Sequence, residues 1–206
     1  MASAEPAQDP KISVREHVAT ADQRVTLHHI PWSHYEAELA VRGEKSVPRI
    51  SYLRGTLELM SPSRDHARIS AWIARLVEIF AEENGIELSP YGSWTLKHPE
   101  LAGAEPDECY IVGEDLTKQR PDLAIEVVWT RGGIDKLEIY RWLGIAEVWF
   151  WIDEEITLYV LRGDRYERVD RSAWLPGLDV ALLCSFLDRP LLSVAKREYR
   201  AAIRSR

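Results

Sequence analysis

Two acidic segments hold the residues whose types and spacing suit chemistry. Glu105-Pro-Asp107-Glu-Cys-Tyr-Ile-Val112 and Pro121-Asp122-Leu-Ala-Ile-Glu126-Val-Val128 are apolar runs that read as strands, each interrupted by carboxylates. Alternate residues of a strand share a face, so Asp122 and Glu126 point the same way. Four residues separate them by about 13 Å, too far to ligate one metal ion together. A neighbouring strand offers a closer partner. If the two segments pair antiparallel across the loop 113–120, with Val112 opposite Pro121, Asp107 falls opposite Glu126. Opposed residues on one face have Cβ atoms about 4.5–5.5 Å apart. Two carboxylates there repel unless a cation lies between them, and a hard, oxygen-liganded ion such as Mg²⁺ or Mn²⁺ suits the arrangement. Register decides the matter, because a one-residue slip turns Glu126 to the other face. The alternative is a solvated sheet face, or pairing of each acid with Arg or Lys.

Lys136 follows the acidic strand after Trp129-Thr-Arg-Gly-Gly133, a loop whose paired glycines allow a close approach to the strand end. It falls in the first turn of a helix, where the dipole disfavours a cation. That placement suggests a task such as fixing a phosphate oxygen or helping deprotonate a water. Asp135 or Glu138 could equally make it an ordinary surface lysine. Glu58 shares a strand face with Thr56 and Met60 and is a candidate third carboxylate, although a solvent-facing position is the simpler expectation. His66 lies in the first turn of a long helix, with capping the simpler expectation over contact with a substrate. Asp122 reads as a strand-end or turn residue, and His28, His29 and His34 lack a zinc spacing.

The elements that must position these groups can be read from periodicity. Residues 1–24 are polar and read as a flexible tail, so a single domain is expected over 25–206. Ser33 to Glu36 has capping-box spacing with Trp32 as its staple, predicting a helix to about Val41. Residues 49–53 and 56–60 flank Arg54-Gly55 as a hairpin. Ser61-Pro-Ser63 caps a helix striped by Ile69, Trp72, Ile73, Leu76, Ile79 and Phe80 and stopped by Asn84-Gly85. Residues 86–89 and 92–97 look extended, and strands are expected over 107–112 and 122–129. A helix from about Ile134 to Leu143 closes at Gly144, followed by strands at 147–152, 156–161 and 165–169 and helices at 179–187 and 190–203. This order predicts one α/β domain, a mixed β-sheet flanked by helices.

Composition bounds the partners. The 206 residues are 46% hydrophobic and 29% charged, with 26 basic against 33 acidic side chains, a net charge of −7. A generally basic nucleic-acid coat is thereby excluded, and any such contact needs a local patch. The last eleven residues, with five basic groups and one acid, are one candidate, although a solvated helix is the simpler reading. Cys109 and Cys184 are too few for a disulfide scaffold or thiolate zinc site. With no apolar run near membrane-spanning length and no secretory signal, a cytoplasmic protein is expected.

Asp107 in Glu-Pro-Asp-Glu-Cys-Tyr, Glu126 in Pro-Asp-Leu-Ala-Ile-Glu-Val, Asp135-Lys136-Leu-Glu-Ile-Tyr140 and Leu143-Gly-Ile-Ala-Glu-Val-Trp149 together form one pattern. The chain resembles, from about Tyr52 through Arg165-Tyr-Glu167 and Pro176-Gly-Leu178, the restriction-endonuclease family of bacterial proteins within the PD-(D/E)XK nuclease superfamily. The resemblance implies a restriction-endonuclease-like fold and a divalent-metal-dependent endonuclease that hydrolyses DNA. It makes Asp107 the aspartate of the PD half and Glu126 the acid of the (D/E)XK half. Val128 stands at the superfamily's usual lysine position, and Lys136 on the next helix takes that role in this branch. The expected site is therefore Asp107, Glu126 and Lys136, with Mg²⁺ or Mn²⁺ on Asp107, Glu126 and Glu58. The competing expectation is a catalytically inactive nuclease-like fold serving as a DNA- or protein-binding module, with the aromatic strand 147–152 and the exposed-looking meander after it as a dimer surface. RNA cleavage would use the same residues, and a homodimer would suit double-strand cutting.

Overall fold

The computed structural model describes residues 21–205. β1 (Gln23–Leu27) and α1 (Trp32–Arg42) lead into β2 (Arg49–Leu53), β3 (Thr56–Ser61) and α2 (Arg64–Glu83). Next come β4 (Leu88–Pro90), β5 (Leu96–His98), β6 (Ala102–Ala104), β7 (Glu108–Val112) and β8 (Leu123–Val127). α3 (Lys136–Leu143), β9 (Glu147–Ile152), β10 (Glu155–Arg162), β11 (Arg165–Val169), α4 (Val180–Cys184) and α5 (Leu192–Arg204) complete the order. Residues 1–20 of the expected tail lie outside the described residues. Asp22, Gln23 and Arg24 correct that expectation, because Asp22 is buried and the other two open β1. Their order comes from distant partners: Asp22 N donates to Thr130 Oγ1 at 3.0 Å, and Ser63 N donates to Asp22 Oδ1 at 2.8 Å.

Local signals explain most of the elements. Leu53 pairs with Thr56 across Arg54 (φ 43°) and Gly55 (φ 89°), a two-residue left-handed turn that matches strand twist. The Ser63 side chain accepts from His66 N at 3.2 Å to start α2, and Asn84 caps its end. Asp135 caps α3 through Glu138 N at 3.0 Å, and Gly144 ends it at φ 67°. The capping box expected at Ser33 is corrected: α1 begins at Trp32, and its Pro31 cap makes no side-chain bond. Aromatic packing holds that end instead, with the Trp32 ring 4.7 Å from Tyr35 and 5.2 Å from Tyr52.

The strands form two sheets where the sequence pattern predicts one. A five-stranded sheet runs β1-β3-β2-β6-β5, and a six-stranded mixed sheet runs β11-β10-β9-β8-β7-β4, its β8–β9 pair parallel through the α3 crossover. Every residue of β8 is buried. Leu123, Ile125 and Val127 share a core with Ile73, Leu76 and Val77 of α2, whereas Ala124 joins Cys109, Val148, Ile139 and Tyr140 on the α3 side. That two-sided burial is why 123–127 reads as a continuous apolar run broken only by Glu126.

Trp149, Phe150 and Trp151 of β9 are buried inside this chain, which removes the strand as a dimer surface. The terminal arginines are likewise engaged, Arg200 with Glu82 and Glu83 at 2.8 Å and Arg204 with Glu83 at 2.6 Å. Such solvent-screened pairs add little stability, but they turn these two guanidiniums towards α2. Among the described residues no helix is long and apolar enough to cross a membrane.

Gly103 in β6 lies directly against Tyr35 of α1. A Cβ there would drive into the fully buried Tyr35 ring, 2.8 Å from its Cε1. Gly103→Ala is therefore expected to cost about 1–3 kcal/mol, seen as a lower urea midpoint with an unchanged m-value. An unchanged midpoint would mean that the ring can move aside.

Candidate active site

β7 and β8 pair antiparallel with Glu108 opposite Ile125 and Tyr110 opposite Leu123. The next position outward sets Asp107 against Glu126, the register that the loop arithmetic requires. Asp107 follows Pro106, where the ladder runs out, and its carboxylate takes the place of the next backbone carbonyl: Val127 N donates to Asp107 Oδ2 at 2.6 Å. Its other oxygen, Oδ1, receives Arg49 from the start of β2 and His66 Nε2 at 3.0 Å. Burial alone would raise the Asp107 carboxyl, but the Arg49 charge and the His66 hydrogen bond outweigh it and hold the group well below the usual carboxylate range.

His66 corrects the capping expectation. Its backbone N–H is the capped group, while its ring lies buried between Asp107 and Asp22, with Nδ1 3.1 Å from Asp22 Oδ2. Burial works against the imidazolium, yet hydrogen bonds to the two aspartates raise its pKa to about 9. Arg24 braces the same corner, 3.6 Å from Asp22 and donating to Thr130 O at 2.7 Å and to Gly132 O.

Glu126 sits in β8 with its carboxylate turned to α3. Lys136 Nζ lies 3.2 Å from Oε1, and the Tyr140 hydroxyl donates to the same oxygen. Lys136 and Tyr140 are four apart and so share a helix face. Neither acid offered by the surface reading takes the lysine, since Asp135 caps the helix and Glu138 pairs with Arg141 at 2.7 Å. Burial pushes the Glu126 carboxyl up, Lys136 opposes that, and Asp107 adds to it.

Glu58 corrects the solvent-facing expectation. It is buried in β3 because the loop 130–134 lies over that face, and Ile134 N donates to its Oε2 at 3.1 Å. Gly133, at φ 110°, leaves no room for a Cβ against that carboxylate. Glu58, Glu126, Lys136 and Arg24 line one cavity of about 360 Å³ together with the Gly132–Gly133 turn. Asp107 is not part of its wall.

The donor chemistry fits a hard divalent cation. Glu58 and Glu126 present carboxylate oxygens to a single cavity, and the upward push on Glu126 from burial and from Asp107 is the strain a cation relieves. Among the described residues no three His, Cys, Asp or Glu side chains already converge as a metal cluster. Positive charge reaches the acids from Arg49, His66 and Lys136 instead. Sequence reasoning missed Arg49, His66, Asp22 and Tyr140 as neighbours of the acids. Only Tyr140 left a signal, its helical spacing from Lys136.

No curated protein matches the chain. Among solved structures it is similar to a protein from Anabaena variabilis ATCC 29413 described as a "putative nuclease belonging to DUF820". The identity is 14% and the TM-score 0.49, over 73% of this chain and 97% of that one. Residues 32–192 match the sequence model of Uma2, described as "Putative restriction endonuclease", and the chain belongs to that family.

Proposed function

We propose that the protein is a divalent-metal-dependent endonuclease that hydrolyses DNA phosphodiester bonds. The observation that carries this reading is the juxtaposition of two buried carboxylates, Asp107 and Glu126, from adjacent strands, with the Lys136 ammonium on the second. Glu126 and Glu58 would hold Mg²⁺ or Mn²⁺ in the cavity they share, and Asp107, outside its wall, would join them where Arg49 yields the oxygen it now occupies. When bound, such an ion supplies Lewis-acid polarisation of the phosphoryl oxygen. Lys136 orients the attacking water and offsets charge developing on the phosphate. Burial and the Glu126 charge keep the Tyr140 hydroxyl protonated, so that it donates to Glu126 and fixes its orientation. His66 and Val127 N do the same for Asp107.

The test is nicking of supercoiled plasmid at low salt with Mg²⁺ or Mn²⁺, wild type against Glu126→Gln. The variant is expected to lose about a hundredfold or more, roughly 2.7 kcal/mol of transition-state stabilisation. Equal nicking by both would remove Glu126 from the reaction. Arg49 on Asp107 and Val128 at the usual lysine position favour the rival reading, an inactive fold that binds DNA or protein. Absence of nicking by the wild type, together with no Mn²⁺ uptake that depends on Glu126, would establish that rival.

A further inference from the structure

A second cavity, of about 680 Å³, opens away from the acids, between β5, the β7–β8 loop and the end of α3. Asp122 borders it, which places it about 13 Å from Glu126 along β8. Its wall carries Trp94, Lys97, His98, Lys118, Arg120 and Trp142. In a chain of net charge −7, this is a surface of opposite sign. The one carboxylate in the wall, Asp122, is consumed by Lys118 Nζ at 2.6 Å and Val112 N at 2.8 Å. Lys97 is only loosely paired, 3.9 Å from Glu36, with both side chains about half exposed. The Arg120 guanidinium lies over Gly144, where a Cβ would meet it at 2.5 Å, and its hydrogen bond is a long 3.5 Å to Leu143 O. Among the described residues no carboxylate pairs with that guanidinium, and Trp94, part-buried with its ring 5.1 Å from Tyr91, sets an indole beside the cations.

Cations tracking a backbone beside an aromatic wall are the combination that holds unpaired strands, since a free base can stack where a duplex keeps its bases inside. We infer that this groove binds single-stranded nucleic acid, with phosphates against Lys97 and Arg120 and a base against Trp94. The inference rests on the proposed DNA-cleaving role only for its biological sense, because binding here requires neither metal nor cleavage.

Fluorescence anisotropy in EDTA at low salt, with labelled dT15 and rU15, tests it. The double variant Lys97→Glu/Arg120→Gln, with an unchanged melting temperature, is expected to bind about tenfold or more weakly and to flatten the salt slope by about 1–2. Trp94→Ala is expected to lose about fivefold or more. Lys196→Glu/Arg197→Glu, on the exposed side of α5, is the control expected to bind as the wild type does. The tighter of the two oligonucleotides identifies the sugar that the groove prefers. Affinity of the double variant within about twofold of wild type, or no binding of either strand by the wild type, would overturn the inference. Equal binding of a matched duplex, lost in the same variant, would assign the groove to duplex phosphates and overturn it as well. Glu126→Gln should bind unchanged in EDTA, so a failure of the nuclease reading is distinguishable from a failure of this one.

Discussion

Replacing His66 with alanine is expected to lower the free energy of unfolding by about 3–5 kcal/mol, the cost of removing one partner from a buried charge network. The ring is 1% exposed and is shared by Asp22 and Asp107, which are far apart in the sequence. Without it, two buried carboxylates face each other with only Arg24 and Arg49 to balance them. The same pairing makes stability depend on pH. The folded pKa of about 9 lies above the ordinary value of 6.5, so the His66 contribution is complete below about pH 6.5 and disappears as pH rises through 9. The aspartates behave oppositely. Burial raises both, but for Asp22 the His66 and Ser63 hydrogen bonds, and for Asp107 the Arg49 charge and His66, prevail, so their contribution is present above about pH 3.8 and lost in stronger acid. Urea unfolding in EDTA at pH 6 and pH 9.5 should show the wild type losing stability towards alkali, while His66→Gln starts lower and loses less, its remaining loss being that of Glu108, whose carboxyl burial raises to about 7. A wild type equally stable at both pH values would mean that the imidazolium is absent from the folded protein.

The network also marks where the sequence stops being readable. The Asp107–Glu126 pairing follows once Val112 is set opposite Pro121, an assumption that the observed register of β7 and β8 meets, and alternation then assigns the face. Lys136 is legible because a first-turn cation runs against the helix dipole. Asp22, Arg49 and His66 are not, since they meet Asp107 only when the ends of both sheets and the start of α2 come together, bridging separations of 41 to 58 residues or, for Asp22, acting through His66. No short-range pattern encodes such a meeting. The division into two sheets escapes for a related reason: β6 of the five-stranded sheet is Ala-Gly-Ala, too short and too small to alternate, and it becomes a strand where it pairs with β2 and packs under Tyr35. Glu58 obeys the alternation of its hairpin, and it is buried because a loop more than seventy residues later folds across the face that alternation leaves to solvent.

On the proposed reaction, Lys136→Met is expected to slow nicking by about a hundred- to a thousandfold, while affinity for DNA in EDTA is nearly unchanged. The lysine occupies the helix turn least favourable to a cation, and Asp135 and Glu138 are engaged elsewhere. Its ammonium is directed at Glu126, whose carboxyl is already pushed up by burial. Removing the ammonium deletes the group that opposes that push, so the variant's remaining activity should rise with pH more steeply than the wild type's. Lys136→Arg keeps the charge but not the compact, tetrahedral donor. It is expected to restore the wild-type pH response while recovering only part of the rate, a split that a merely structural ion pair would not produce. If Lys136→Met instead cleaves within about threefold of wild type, the lysine serves only to neutralise Glu126, and the water must be oriented by another group on the same cavity wall.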